Sequence, residues 1–135
     1  MDKKLVNPPT MFTPWGYHHA VTVEGAAKFI FISGQVARDR EGKLIDGDLA
    51  AQARRCNENL IAVLAGVGAT TADVVKITTY VVNLQPDNRK TVLDIRDEFL
   101  GRNDLPASSL IGVAALAEAG MLIEIEAIAA VPAGL

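Results

Sequence analysis

Cysteine is nearly absent from this chain, which has a single one, Cys56, among 135 residues. A lone thiol excludes an internal disulfide and is typical of a protein in a reducing compartment. The chain also has only two histidines, His18 and His19, and they belong to no spaced set of histidines and cysteines. Ligands at metal-binding spacing are therefore missing, and no metal site is predicted.

Clustered positive charge and long apolar runs are lacking as well. Lys and Arg together number 13 against 16 Asp and Glu, for a formal net charge of -3. This balance argues against nucleic-acid binding, which needs clustered Lys and Arg to neutralise phosphates. The opening segment MDKKLVNPPTMF contains no run long enough for a signal peptide or a membrane span. We therefore expect a soluble cytoplasmic protein without membrane partners.

The hydrophobic pattern predicts one α+β domain over residues 1–135. Half of the residues are hydrophobic, which at this length is enough for a sizeable core. The hydrophobic period switches along the chain in the order ββαβαββ, with Asp48 as a helix cap and Pro86 as a helix start. The first two strands are predicted to form a hairpin, because only a short connection at Gly25 separates them. The predicted strands cover 19–24, 29–36, 74–82, 110–116 and 122–131, and the predicted helices end at Gly66 and Gly101.

Two predicted strands, VVKITTYVV and LIEIEAIAAV, carry apolar residues in both alternate sets. A small monomer normally keeps one face of an open sheet polar, so the second face is predicted to be buried by another subunit. Burying one Leu or Ile is worth about 1.5 to 3 kcal/mol, so a handful from each chain could hold an oligomer together. A cleft between subunits would then be a natural ligand site.

Glu124 and Glu126 lie inside the last of these strands, where a buried carboxylate requires a partner. From the residues alone, these acids either pair with Lys or Arg on a solvated face or serve chemistry.

Two other features have structural explanations. Cys56 falls on the apolar stripe of the first helix, which favours a buried, inert thiol over a nucleophile. The run Gly66-Val67-Gly68 follows a helix and does not precede one, so it is not a dinucleotide-binding fingerprint. No cofactor is expected.

Six segments, in this order, carry a resemblance to a known family: GYHHAV, FISGQV, GDLAAQARRCNENL, DVVKITTYVVNL, PASSLIGVAAL and LIEIEAIA. Together they resemble the RidA (YjgF-type) family of reactive intermediate deaminases. The resemblance implies a chorismate-mutase-like α+β fold with two helices on one face of the sheet. It also implies a homotrimer with a central β-barrel and a small-molecule ligand in each of three clefts between subunits.

The best-known members of this family hydrolyse enamines and imines to a carbonyl compound and ammonia. By position, the resemblance implies that Glu124 is catalytic and orients or activates a water. It implies that Tyr17 forms a pocket wall and that Ser33 with Gly34 forms a pocket-lining turn. The match favours catalysis for Glu124 only, and Glu126 keeps a structural interpretation.

Ser108 departs from the family pattern, because archetypal members carry at this position an arginine that binds the substrate carboxylate. A serine hydroxyl offers one uncharged hydrogen bond in place of a charged, bidentate pair. The chain is therefore identified as a member of a branch that lacks this arginine, with Ser108 as a substrate-binding residue of altered specificity. The expected ligand is neutral, or is larger and held by other contacts. Candidate walls of its pocket are Trp15, Tyr17, His18 and His19.

Three functions are left open at this point. The first is hydrolytic deamination of an enamine or imine with altered substrate choice. The second is a non-catalytic trimer that binds or senses a small molecule. The third, with least support, is an endoribonuclease, the family's older name; the acidic charge and the lack of a basic patch argue against it.

Overall fold

The computed structural model describes residues 1–134 and has the predicted α+β fold class. Its elements are β1 (Asp2–Val6), β2 (Ala20–Glu24), β3 (Ala27–Gln35), α1 (Leu49–Gly66), a 3₁₀ turn (Thr71–Asp73), β4 (Val74–Val82), α2 (Pro86–Leu100), β5 (Ala107–Val113) and β6 (Ile123–Pro132).

Four strands form the main sheet in the order β3-β6-β4-β5. β6 is antiparallel to both of its neighbours, whereas β4 and β5 are parallel and are connected through α2. A parallel pair needs such a crossover, because a tight turn returns the chain antiparallel. β3 and β5 are therefore the two edges of the sheet.

Both helices begin and end where the local sequence predicts. Asp48 caps α1, and its Oδ1 accepts the N–H of Ala51 at 3.0 Å. α2 begins at Pro86, whose missing N–H would have no partner in the first turn of a helix in any case. α2 ends at Leu100, and Gly101 caps it with a φ of 78°, a conformation that glycine adopts without strain.

The hydrophobic core lies between the main sheet and the two helices, which pack on the same face of that sheet. Its fully buried side chains include Leu60 of α1, Ile77 of β4 and Ile123 of β6. Because side chains alternate along a strand, the neighbours of these residues point to the opposite face. The core thereby determines which residues the other face presents.

That other face of the main sheet is open in the single chain. Phe29 and Phe31 of β3 are 52% and 78% exposed, and Ile111 of β5 is 40% exposed. Large apolar side chains exposed on one face of a sheet are typical of an association surface. Burial of this face by another subunit stays a prediction.

The predicted hairpin between the first two strands is wrong, and β1 is absent from the prediction. β2 pairs with β1 in a separate two-stranded sheet, in which Leu5 stands opposite Val21. The strand DKKLV is largely charged and so gives little hydrophobic signal. β3 pairs instead with β6, which places Ile30 and Ile32 in the core. Alternation within a strand predicts which face is buried but not which distant strand it joins.

β5 lies slightly earlier in the chain than the predicted strand at 110–116. Its parallel register places Ala107 opposite Lys76, directly after Pro106, which cannot donate to the ladder. Ser108 is consequently a strand residue, opposite Ile77.

Candidate functional site

A β-bulge in β3 forms the centre of the candidate site. The β3–β6 register shifts between Ile32 and Gln35, so Ser33 and Gly34 together face one residue of β6. The side-chain Nε2 of Gln35 donates to the carbonyl oxygen of Ser33 at 3.0 Å and closes the bulge. Bulges re-aim side chains and are common beside active sites.

The carboxylate of Glu124 lies directly against Gly34. A Cβ placed on Gly34 would stand 2.2 Å from Glu124 Oε2 and 2.6 Å from its Cδ, so only glycine leaves room for this carboxylate. Glu124 is half-buried on β6. The structure therefore brings three of the predicted site residues together: Ser33, Gly34 and Glu124.

The second glutamate, Glu126, is bound by a tyrosine and not by Lys or Arg. Tyr80 Oη donates to Glu126 Oε1 at 2.7 Å. This hydrogen bond raises the pKa of Tyr80, as do burial and the charges of Glu126 and Glu124. The phenol is thus a fixed donor, which supports a structural role for Glu126.

Tyr80 belongs to this constellation but is not among the residues predicted for the site. It stands opposite Glu124 across the β4–β6 pair. The signal that could identify it is its place in the β4 alternate set that faces away from the core.

A concavity with a volume of about 300 Å³ adjoins the bulge on the open face of the sheet. Its lining combines apolar Phe31 and Ile128 with polar Ser33, Lys76 and Glu126. It can therefore contact a ligand, or another subunit, through both apolar and charged groups.

Cys56 lies under the sheet, close to Glu124. Burial, and to a smaller extent the charge of Glu124, raises the pKa of the thiol to about 12. A thiol with this pKa is not a thiolate at neutral pH, so it is no nucleophile. The prediction that Cys56 is buried is confirmed.

Tyr17 lies in a loop attached to the start of β5. The backbone N–H of His18 donates to the carbonyl of Pro106 at 3.2 Å, and its ring Nδ1 donates to the carbonyl of Leu105 at 2.6 Å. These bonds place the Tyr17 loop at the β5 edge of the sheet, the edge that carries Ser108.

Ser108 and Glu124 do not meet within one chain. β4 separates β5 from β6. Ser108 also stands opposite the core residue Ile77, whereas Glu124 alternates with the core residues Ile123 and Ile125 and so points to the open face. The five predicted site residues consequently form two groups. Ser33, Gly34 and Glu124 form the bulge group, and Tyr17 and Ser108 form the edge group.

In each histidine, one ring nitrogen is hydrogen-bonded to a backbone carbonyl. His19 Nε2 donates to the carbonyl of Phe12 at 2.8 Å, and the ring stacks edge-on against Phe12 and Tyr17. Trp15, predicted as a wall, is 92% exposed in the single chain. Within residues 1–134, no group of three His, Cys, Asp or Glu residues could hold a metal ion.

The protein is thus a small α+β protein with one open sheet face. A glutamate carboxylate lies beside a β-bulge in that sheet. The chain belongs to the family whose model is described as endoribonuclease L-PSP, which matches residues 11–131. Among helices of the described residues, none is long and apolar enough to cross a membrane.

Proteins similar to this chain include members of the RutC and Rid families. A RutC family protein of Pyrococcus abyssi is 36% identical over 131 residues, or 96% of this chain and 98% of that protein. The human 2-iminobutanoate/2-iminopropanoate deaminase is 34% identical over 114 residues, or 84% of this chain and 78% of the human one. Among solved structures, YyfB of the conserved Rid family from Yersinia pestis is 43% identical with a TM-score of 0.87, covering 97% of this chain and 100% of that one.

Proposed function

We propose that this protein hydrolyses an enamine or imine to a carbonyl compound and ammonia. The observation that carries the proposal is the Glu124 carboxylate held against Gly34 at the bulge, on a half-buried residue. Relatives named as imine deaminases support the same chemistry.

The reaction needs one group that both takes and returns a proton. Water adds to the C=N carbon: a C–O bond forms, the C=N electron pair moves to nitrogen, and Glu124 accepts one proton from the water and passes it to that nitrogen, which gives a carbinolamine. Glu124 then takes the proton of the new hydroxyl and passes it to the amine nitrogen, the C–N bond breaks, ammonia leaves and C=O forms. A partly desolvated carboxylate is suited to this shuttle, and the neighbouring polar groups of the bulge can orient the water.

The proposal includes a site completed between copies of the chain, in a homotrimer. The bulge group and the edge group lie near opposite edges of the sheet, β3 and β5. A heterologous interface places one edge of a chain against the other edge of its neighbour and closes into a ring. The exposed Phe29 and Phe31 on β3 would be buried in such a ring.

Non-catalytic binding of a small molecule is the second candidate, and Ser108 is the observation that favours it. Without an arginine there, the pocket lacks the charged contact that would hold a small imino acid. The two candidates differ in ammonia release: a hydrolase releases it from enzymatically generated imines faster than the uncatalysed background, and a binding protein does not.

Gly34→Ala is expected to lower imine hydrolysis by about 10²-fold, because a misplacement of about 1 Å at a reacting group can have that effect. The new Cβ would displace the Glu124 carboxylate, the far end of a flexible side chain, so the fold should persist. Gly66→Ala is the matched control, since a Cβ there meets no atom within 4 Å. Initial rates of ammonia release and circular dichroism spectra check both variants; equal activity in the two would contradict the placement of Glu124.

A mixing experiment tests the shared site. We expect Glu124→Gln and Tyr17→Ala to be weakly active alone, and their co-refolded mixture to regain activity. Random assembly leaves about a quarter of the clefts with both groups intact, because each cleft takes its two sides from different chains. Mixed oligomers, verified by native mass spectrometry, that regain nothing would show that one chain carries the whole site.

A further inference from the structure

A groove beside the bulge, at the β3 edge of the sheet, has no role in the chemistry described above. It has a volume of about 570 Å³ and runs between the end of β3, the loop that follows it and α1. Gly34 lines one end, and Arg38, Arg40 and Arg55 line the remainder, with Asp39 as the only acid of the lining. In a chain with a net charge of -3, this is a local concentration of positive charge.

The backbone around the groove is held in place by side chains. Asn59 of α1 donates to the carbonyls of Val36 and Arg38 at 2.9 and 3.0 Å. Asp39 Oδ1 accepts the backbone N–H groups of Glu41 and Lys43 at 3.0 and 2.9 Å. The single acid of the lining is thereby turned to its own loop, and the groove is formed before any ligand arrives.

The three arginines differ in what already engages them. Arg38 is paired with Glu118 at 2.6 Å and donates to the carbonyl of Gly42 at 2.7 Å. Arg55 reaches Glu58 only at 3.8 Å through Nε, with both side chains substantially exposed, a contact too long for a strong hydrogen bond. Arg40 is exposed, and in the described part of the chain it forms no ion pair. Arg55 and Arg40 thus have donors available for an anion.

The groove adjoins the proposed catalytic group through Gly34. Gly34 both lines the groove and contacts the Glu124 carboxylate. Arg38 is four positions after Gly34 in the chain, which at full extension is at most about 14 Å. An anion in the groove would therefore be several bonds away from a C=N group at Glu124.

We propose that this groove binds an acidic group carried at the far end of the substrate, so that the substrate is an imine with a remote carboxylate. Arg55 and Arg40 hold that carboxylate, in place of the arginine that position 108 lacks. The inference rests on the proposed imine hydrolysis for the position of the C=N group, but the groove itself lies within one chain.

Three six-carbon ketones serve as stable stand-ins for hydrolysis products: 5-oxohexanoate, 2-oxohexanoate and 2-hexanone. Isothermal titration calorimetry is expected to show 5-oxohexanoate binding about 10- to 100-fold more tightly than 2-hexanone, as suits hydrogen bonds to a charged group. 2-Oxohexanoate, whose carboxylate adjoins the carbonyl, should bind more weakly than 5-oxohexanoate. Equal or tighter binding of 2-oxohexanoate, or no preference among the three, would overturn the proposal.

Arg55→Gln is expected to remove most of the preference for 5-oxohexanoate, and Arg40→Gln with Arg55→Gln to remove it entirely. Arg54→Gln is the matched control, because Arg54 is adjacent in α1 but pairs with Glu98, at 3.1 Å for Nη2 and Oε1, outside the groove. An equal loss in Arg54→Gln and Arg55→Gln would show an effect of net charge only and would also overturn the proposal.

Failure of the groove and failure of the proposed reaction are distinguishable. Glu124→Gln should keep the preference for 5-oxohexanoate, because binding in the groove needs no proton transfer. Ammonia release by a wild-type protein that binds all three ketones equally would leave hydrolysis standing and refute the groove. The preference without any ammonia release would support the groove and refute hydrolysis.

Discussion

Glu124→Gln is expected to lower the kcat for imine hydrolysis by about 10²- to 10⁴-fold, the range that general acid-base groups contribute. Glutamine keeps the size of the side chain and its contact with Gly34 but cannot accept a proton from water. KM should change little, because no direct contact between Glu124 and the substrate's binding groups is invoked. The measurement is the initial rate of ammonia release over a range of imine concentrations, which gives kcat and KM separately; an amino-acid dehydratase generates the imine in the cuvette.

Glu126→Gln is the control for that variant, two residues away on the same face of β6. Its amide oxygen can still accept the hydrogen bond of Tyr80, which now spans 2.7 Å. We expect a change of less than about tenfold, since no proton transfer is assigned to this residue. If the two variants lose activity equally, the distinction between a catalytic and a structural glutamate is wrong.

The helices and the core-facing side of β6 could be predicted because their signals are local. Asp48, Pro86 and Gly101 are cap and boundary residues whose effect depends on their own backbone. Strand partners could not be predicted in the same way. β3 has a turn and a neighbouring strand β2 nearby in sequence, yet it pairs with β6, because distant apolar contacts outweigh a local connection.

In the candidate site, too, residue identities could be predicted from the sequence, whereas contacts between distant segments could not. Family motifs carry the identities of Gly34 and Glu124, but the contact between them depends on the bulge. A glycine inside a strand indicates a bend or a close approach at that position, not which distant side chain lies against it. The groove is harder still to read from sequence, because Arg38 and Arg55 come from a loop and a helix that only the fold brings together. The two arginines are too far apart in sequence to form a recognisable motif.

The division of site residues between two edges also has a physical origin. A strand inserted between β5 and β6 separates these two strands by two strand spacings, or roughly 10 Å. The register adds to this separation, because it sets Ser108 level with Ala127 and not with Glu124. A serine side chain is too short to reach across that distance and through the sheet to its other face. The same positions become neighbours only if a second chain places its β5 edge beside β3.

Ser108→Arg is the second variant with a large expected effect: it should raise kcat/KM for 2-iminopropanoate by about thirty-fold to several thousand-fold. A charged partner for a carboxylate in a partly dry pocket is worth roughly 2 to 5 kcal/mol, which corresponds to that range. The guanidinium offers two parallel donors to the carboxylate beside the C=N group, where serine offers one. Initial rates at low imine concentration measure the effect.

Two further variants at position 108 separate charge from geometry. Ser108→Lys supplies the charge without the planar fork and should give a smaller gain, and Ser108→Gln supplies length without charge and should give none. Selectivity should change in parallel, because an arginine at 108 favours acids adjacent to the C=N group over acids at the far end of the chain. A folded oligomer of Ser108→Arg, verified by sedimentation, with no gain on 2-iminopropanoate would mean that position 108 does not face the cleft in which Glu124 acts.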